Sequence, residues 1–162
     1  MPTPDVITFQ LGVNDISNIV VENREEKVRK ILADADTFIT AFKKDIPNAI
    51  IGVAFITPAA DQDAFGKVNK CRGTAWLRFQ NQFYLNNEMQ KHFAAKHPDI
   101  IMIPTGLGVD SENNFPVRKE SVSHGTKNTI YRQDNGVHPA VSGYNQLGDI
   151  YYAWLKNILA GK

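Results

Sequence analysis

The chain has 162 residues, 43% hydrophobic and 22% charged, which suits one globular domain with a core of its own. Its 18 basic and 17 acidic residues leave a formal charge of +1, which supplies no net field for nucleic acid or an anionic membrane. Cys71 is the only cysteine, so neither a disulfide framework nor a CxxC metal site can form, and no apolar run reaches the roughly 18 residues of a membrane span.

The opening "MPTPD" has neither the basic nor the apolar region of a secretory leader. "DVITFQLG", from Asp5 to Gly12, is rich in β-branched residues and ends in glycine, which predicts a strand. From Glu22 to Ile46, Val28, Ile31, Leu32, Ala35, Phe38, Ile39 and Phe42 recur at helical steps. Acids gather at the start of that segment and Pro47 stops it. Its basic clusters alternate with acids and read as a solvated face.

"AIIGVAFITP", from Ala49 to Pro58, is apolar at nearly every position and predicts a strand buried on both faces, hence a parallel sheet. The loop "DQDAFGKVNKCRG" follows, then a second helix from Thr74 to Lys96 with Thr74 as N-cap. "DIIMIPTGLG", from Asp99 to Gly108, predicts the third strand. About thirty residues of weak periodicity follow, from Val109 to Val137. The last helix runs from Ala140 to Leu159, with Pro139 in its first turn and Tyr144, Leu147, Tyr151, Trp154, Leu155 and Ile158 facing inward.

Strand and helix alternate, so the class is α/β with a doubly wound parallel sheet. Ligands bind such sheets outside the carboxyl ends of the strands. That rule puts residues 12–15, 57–61 and 105–110 on one rim with the long loop, and loops of that length are commonly functional.

Two blocks on the rim carry chemistry. In "GVND", Gly12 to Asp15, the Asn14 amide can donate to a developing oxyanion, and Gly12 allows close backbone approach. In "DNGVHPAVSGYNQLGD", from Asp134 to Asp149, His138 stands directly before Pro139 at the opening of the last helix, where an imidazole can act as general base. Taken alone, either block also fits a plain turn or helix cap.

Together, G-x-N-D after a parallel strand and N-G-V-H-P-x-x-S-G-Y at the last helix resemble the SGNH hydrolases, the GDSL-type esterases and acylhydrolases. The resemblance spans nearly the whole chain. It implies a flavodoxin-like three-layer α/β/α sandwich in one domain, residues 1–162, forming the C-terminal portion of an SGNH domain. It further implies Asn14 as oxyanion-hole donor with Gly12 beside it, and His138 as the base that activates a serine. Asp15 and Asp110 fall on the substrate side. The implied chemistry is hydrolysis of acyl or acetyl esters, including esters on carbohydrate, with no metal, no organic cofactor, no nucleic acid and no membrane partner.

The chain departs from that family at two places. The family's G-D-S nucleophile block is absent: Ser17, Ser111, Ser121, Ser123 and Ser142 are its serines, and none follows Gly-Asp. The first two family strands are missing with it, and so is a second oxyanion glycine. The strand Asp5 to Gly12 should then be an open edge, available for self-association or for pairing with an N-terminal segment. The position of the triad acid, three residues before the histidine, holds Asn135. Asp134, one step earlier, and Asp110 are the alternative acids, and a Ser-His dyad is a further solution.

The alternative function is a non-catalytic remnant, or an assembly or binding module, of the same fold. An unrelated flavodoxin-like binding domain ranks below both, because no G-x-G-x-x-G or P-loop follows any strand. His92 and His97, at the end of a helix, read as structural, and His124 as a loop residue. Asp61, Asp63 and Asp110 lack metal-ligand spacing. Trp76, Phe79, Phe83 and Tyr84 read as helix and core packing.

Overall fold

A computed structural model describes residues 3–62 and 74–161. The expected loop before the second helix lies outside the described residues beyond Gln62, and with it Asp63 and Cys71. Three parallel strands form the sheet in the order β1 (Val6–Phe9), β2 (Ile50–Ala54), β3 (Ile101–Ile103). Val6 stands opposite Ile50, and Gly52 opposite Ile101. α1 (Arg24–Asp45) links β1 to β2, and α2 (Ala75–Lys96) precedes β3.

The alternation of β2 builds the layers. Ile51 and Val53 point to one face and join Val28, Leu32 and Ile39 of α1 and Leu85, Met89 and Phe93 of α2 in the larger core. Ala54 points to the other face, where Ile103 and Trp154 meet it. A Cβ on Gly52 would lie 2.6 Å from the Trp154 ring, so the glycine makes room for the indole. Trp154 belongs to α3 (Val141–Ala160). Helices on both faces of a parallel sheet make a three-layer α/β/α sandwich.

The strands are shorter than the sequence predicts, because the expected runs continue past the paired backbone into the rim loops. α1 starts at Arg24, after two short 3-10 turns, Asp15–Asn18 and Val21–Asn23. Thr74 caps α2 as expected, its hydroxyl accepting from the Leu77 amide at 3.2 Å.

The region of weak periodicity contains an antiparallel hairpin, β4 (Val117–Ser121) and β5 (Thr129–Gln133). Most of its residues are exposed on both faces, so no apolar alternation marked it. α3 buries Trp154, but Tyr144 and Leu155 are exposed rather than inward. Pro139 precedes the N-cap Ala140 instead of occupying the first turn.

β1 is an edge. Its outer side meets no other strand among the described residues, and Val6–Phe9 carries no charge or proline to blunt it. Both faces beside it are recessed. A cavity of about 370 Å³ on the α1 side is lined by Phe9, Leu11, Ile31 and Phe38. One of about 320 Å³ on the α3 side is lined by Val6, Tyr151, Tyr152 and Leu155. No helix among the described residues is long and apolar enough to cross a membrane.

Candidate functional site

The chain leaves β1 through Gly12, which is buried at φ +102°, a left-handed conformation that L side chains rarely adopt. A Cβ there would press on Ile56 at 3.2 Å and Leu85 at 3.3 Å. Its carbonyl accepts from the Ile16 amide at 3.2 Å, closing the turn. Asn14 and Asp15 follow, exposed, at the mouth of the α1-side cavity. Among the described residues the Asn14 side chain makes no capping hydrogen bond to the turn it opens.

His138 is exposed at the opening of α3. Asn135 sets the turn before it, its Oδ1 accepting from the Val137 amide at 3.0 Å and the His138 amide at 2.9 Å. That oxygen closes the backbone turn that carries the histidine. Among the described residues neither the His138 ring nor the Asp134 carboxylate has a hydrogen-bond partner; the Asp134 amide donates to Pro116 O at 2.9 Å.

The glycine of "SGY" has a packing reason. A Cβ on Gly143 would lie 2.6 Å from Pro139 and 2.7 Å from Asn114 O. The same carbonyl accepts from the Ala140 amide at 2.8 Å. The glycine thus lets the first turn of α3 seat on the loop that follows β3.

Asp110 forms a turn of its own. Its Oδ1 accepts from the Glu112 and Asn113 amides, both at 2.9 Å, and its Oδ2 from the Asn113 side chain at 3.0 Å. The Asn113 amide, its side chain and the Glu112 amide hold the carboxyl below its ordinary value. A carboxylate saturated in this way shapes the loop rather than steering a histidine.

The sequence did not reveal the residues that fasten the rim. Gln133, almost fully buried, exchanges two 2.8 Å bonds with Gln62, amide to side-chain oxygen in both directions. Its Nε2 donates to Ser111 O at 2.7 Å and Glu112 O at 2.9 Å. The strand that leads to His138 is thereby tied to the loops after β2 and β3.

From α2, Asn81 donates to Ile19 O at 2.8 Å and accepts from Arg24 Nε at 2.9 Å. Gln82 donates to Ile56 O at 3.1 Å, and Asn86 bonds both the amide and carbonyl of Ile56. Only burial, which a single sequence does not display, separates these amides from surface ones.

His92 and His97 are structural, but a carboxylate rather than a helix dipole explains them. Their Nε2 atoms lie 2.8 and 3.0 Å from Asp36 Oδ1 on α1, and Lys96 bonds Oδ2. Burial pushes the Asp36 carboxyl up, but the bonds from Lys96, His92 and His97 outweigh it and hold the group at about 2. His124 is exposed beyond β4. Among the described residues no group of three or more His, Cys, Asp or Glu side chains could hold a metal ion.

The aromatic stretch is the clearest correction. Phe79 and Tyr84 are partly buried, but Trp76 is 70% and Phe83 77% exposed. Arg78, Asn81 and Gln82 occupy the buried side of α2 in their place.

The structure thus brings Gly12, Asn14 and Asp15 to one turn, and Asp134, Asn135 and His138 to another. Asp110 caps the loop between β3 and the hairpin. All stand at or beyond the carboxyl ends of the parallel strands, the ligand rim of an open α/β sheet.

No protein-family model matches the chain, and no curated protein matches it. A solved structure from Streptococcus pneumonia, provisionally described as a platelet activating factor, matches in fold with a TM-score of 0.67 at 17% identity. The match covers 93% of this chain and 59% of that one, so the chain spans about three-fifths of that neighbour's length.

Proposed function

We propose that this chain carries the oxyanion and base halves of an SGNH-type serine esterase. The observation that supports the reading most is the Gly12 turn. A left-handed glycine at the end of β1 leaves Asn14 exposed on the rim, its side chain making no capping hydrogen bond, and His138 opens the final helix on the same rim.

In this reading the serine comes from outside these 162 residues. Its hydroxyl oxygen attacks the ester carbonyl carbon while His138 takes the proton. The Asn14 amide donates to the oxyanion, and His138 returns the proton to the leaving alkoxide. Water then releases the acyl group by the same route. Asp134 is the proposed acid, since its carboxylate is uncommitted where that of Asp110 is spent. The ester is a small molecule or an acylated carbohydrate, bound beside Asp15 and Asp110.

The isolated chain self-associates through the β1 edge, or that edge pairs with a serine-bearing N-terminal segment that fills the recesses on both faces. An isolated chain that stays monodisperse and monomeric in light scattering, with the β1 edge accessible, contradicts this use of the edge.

The test of function is a fluorophosphonate probe read by intact mass. The protein as isolated from its own cells, with whatever polypeptide accompanies it, takes one adduct that disappears in His138→Ala. The 162-residue chain alone takes none. An unlabelled native protein that is folded contradicts the esterase and leaves a binding module of the same fold.

A further inference from the structure

The first half of α2 is built inside out. Arg78, Asn81 and Gln82 are nearly fully buried, while Trp76 and Phe83, seven residues apart on one helical stripe, stand exposed. Burying large aromatics would be the favourable arrangement, and a helix that forgoes it points to a use for the exposed rings.

Those rings line an open cleft of about 510 Å³ together with Pro58, Phe79, Leu107 and Val109. Leu107 is 87% exposed. It is thrust outward by a tight turn at Gly106, where a Cβ would lie 2.7 Å from Asn86 Nδ2 and 2.9 Å from Ile56 O. The cleft therefore sits on the loops after β2 and β3, on the ligand rim, and its size is that of a small-molecule site. Ser111, also in its lining, bonds through its carbonyl to Gln133 on the strand that leads to His138.

The polar lining decides the ligand class. Gln82 Nε2 is spent on the carbonyls of Ile56 and Gly106, and the Ser111 carbonyl on Asp61 and Gln133. Gln80, the Gln82 side-chain oxygen and the Ser111 hydroxyl are too few for a sugar ring, whose hydroxyls each demand a partner. We infer that this cleft binds an unbranched alkyl chain, as the apolar arm of the ester.

Naming the arm as part of an ester rests on the proposed function, but alkyl binding does not. The test is titration calorimetry of the chain with hexanoate, octanoate and decanoate, and with N-acetylglucosamine. Affinity rises about fourfold per added methylene until the cleft is full, and decanoate binding is unaffected by saturating sugar. Leu107→Asp and Phe83→Asp each weaken decanoate at least tenfold while circular dichroism stays unchanged, because both side chains lie outside the core.

Lys30→Ala, far from the cleft lining, binds decanoate as wild type does, and binding is read without turnover, so a failed esterase assay leaves this result standing. Affinity independent of chain length, cleft variants that bind as well as wild type, or a sugar that displaces decanoate overturns the inference.

Discussion

At the carboxyl rim, Gln10, Asn81, Gln82, Asn86, Thr105 and Gln133 hold loop backbone with neutral amides and a hydroxyl. At the other end of the sheet, where α1 and α2 run toward the starts of β2 and β3, ionisable groups do the fastening. Asp36 meets Lys96, His92 and His97 there, and Lys43 meets Asp99. Neutral amides hold their geometry whatever the pH, and they place no net charge beside a developing oxyanion. Charged clamps are adequate where no chemistry happens. In the proposed reading, the contrast puts the chemistry at one end of the sheet and the ionic fastening at the other.

The largest effect expected from breaking this contrast is at the neutral rim. Asn81→Leu orphans the Ile19 carbonyl and one bond of the half-buried Arg24 guanidinium, and lowers stability by about 3 kcal/mol, seen as a lower urea midpoint at unchanged slope. Next, Gly143→Ala pushes the start of α3 off the Asn114 carbonyl and costs about 2 kcal/mol. Faster amide hydrogen exchange should accompany it around residues 135–145, sharpening the link between that glycine and the His138 turn.

At the charged end effects are smaller and depend on pH. Asp36→Asn should cost about 1 kcal/mol at neutral pH, since the cluster is partly solvated. The Asp36 carboxyl is depressed from its ordinary 3.8 to about 2. Its contribution is therefore complete above 3.8 and is lost as pH falls through 2. Urea midpoints of wild type and Asp36→Asn should converge over that window. Midpoints that stay parallel down to pH 2 would remove the charged clamp from the account. Lys30→Ala, which breaks an exposed pair with Asp34 on α1, should change stability by less than about 0.5 kcal/mol.

The sheet and the long helices were legible because burial on both faces leaves continuous apolar runs, and α1 repeats Val28, Leu32 and Ile39 at near-helical steps. The Thr74 cap was legible because a hydroxyl before a helix has one common use. The β4–β5 hairpin was not, since strands solvated on both faces carry no alternation. The site was legible as two blocks, "GVND" and the His138 turn.

What joins those blocks was hidden. Asn135 looks like an orienting partner in the sequence, and its oxygen also forms the turn, accepting from the Val137 and His138 amides. Gln133 carries no motif at all. Trp76 and Phe83 misled because aromatic residues at helical spacing usually face a core, and here Arg78, Asn81 and Gln82 had taken that side.

The most direct measurement of the central claim is ester turnover by the native protein, with whatever polypeptide accompanies it, beside His138→Ala and Asn14→Ala. The account predicts that His138→Ala falls to background. It also predicts that Asn14→Ala loses on the order of a hundredfold to a thousandfold in kcat with KM nearly unchanged, the signature of a donor acting on the transition state. Turnover that survives both substitutions would place the chemistry elsewhere and contradict the account.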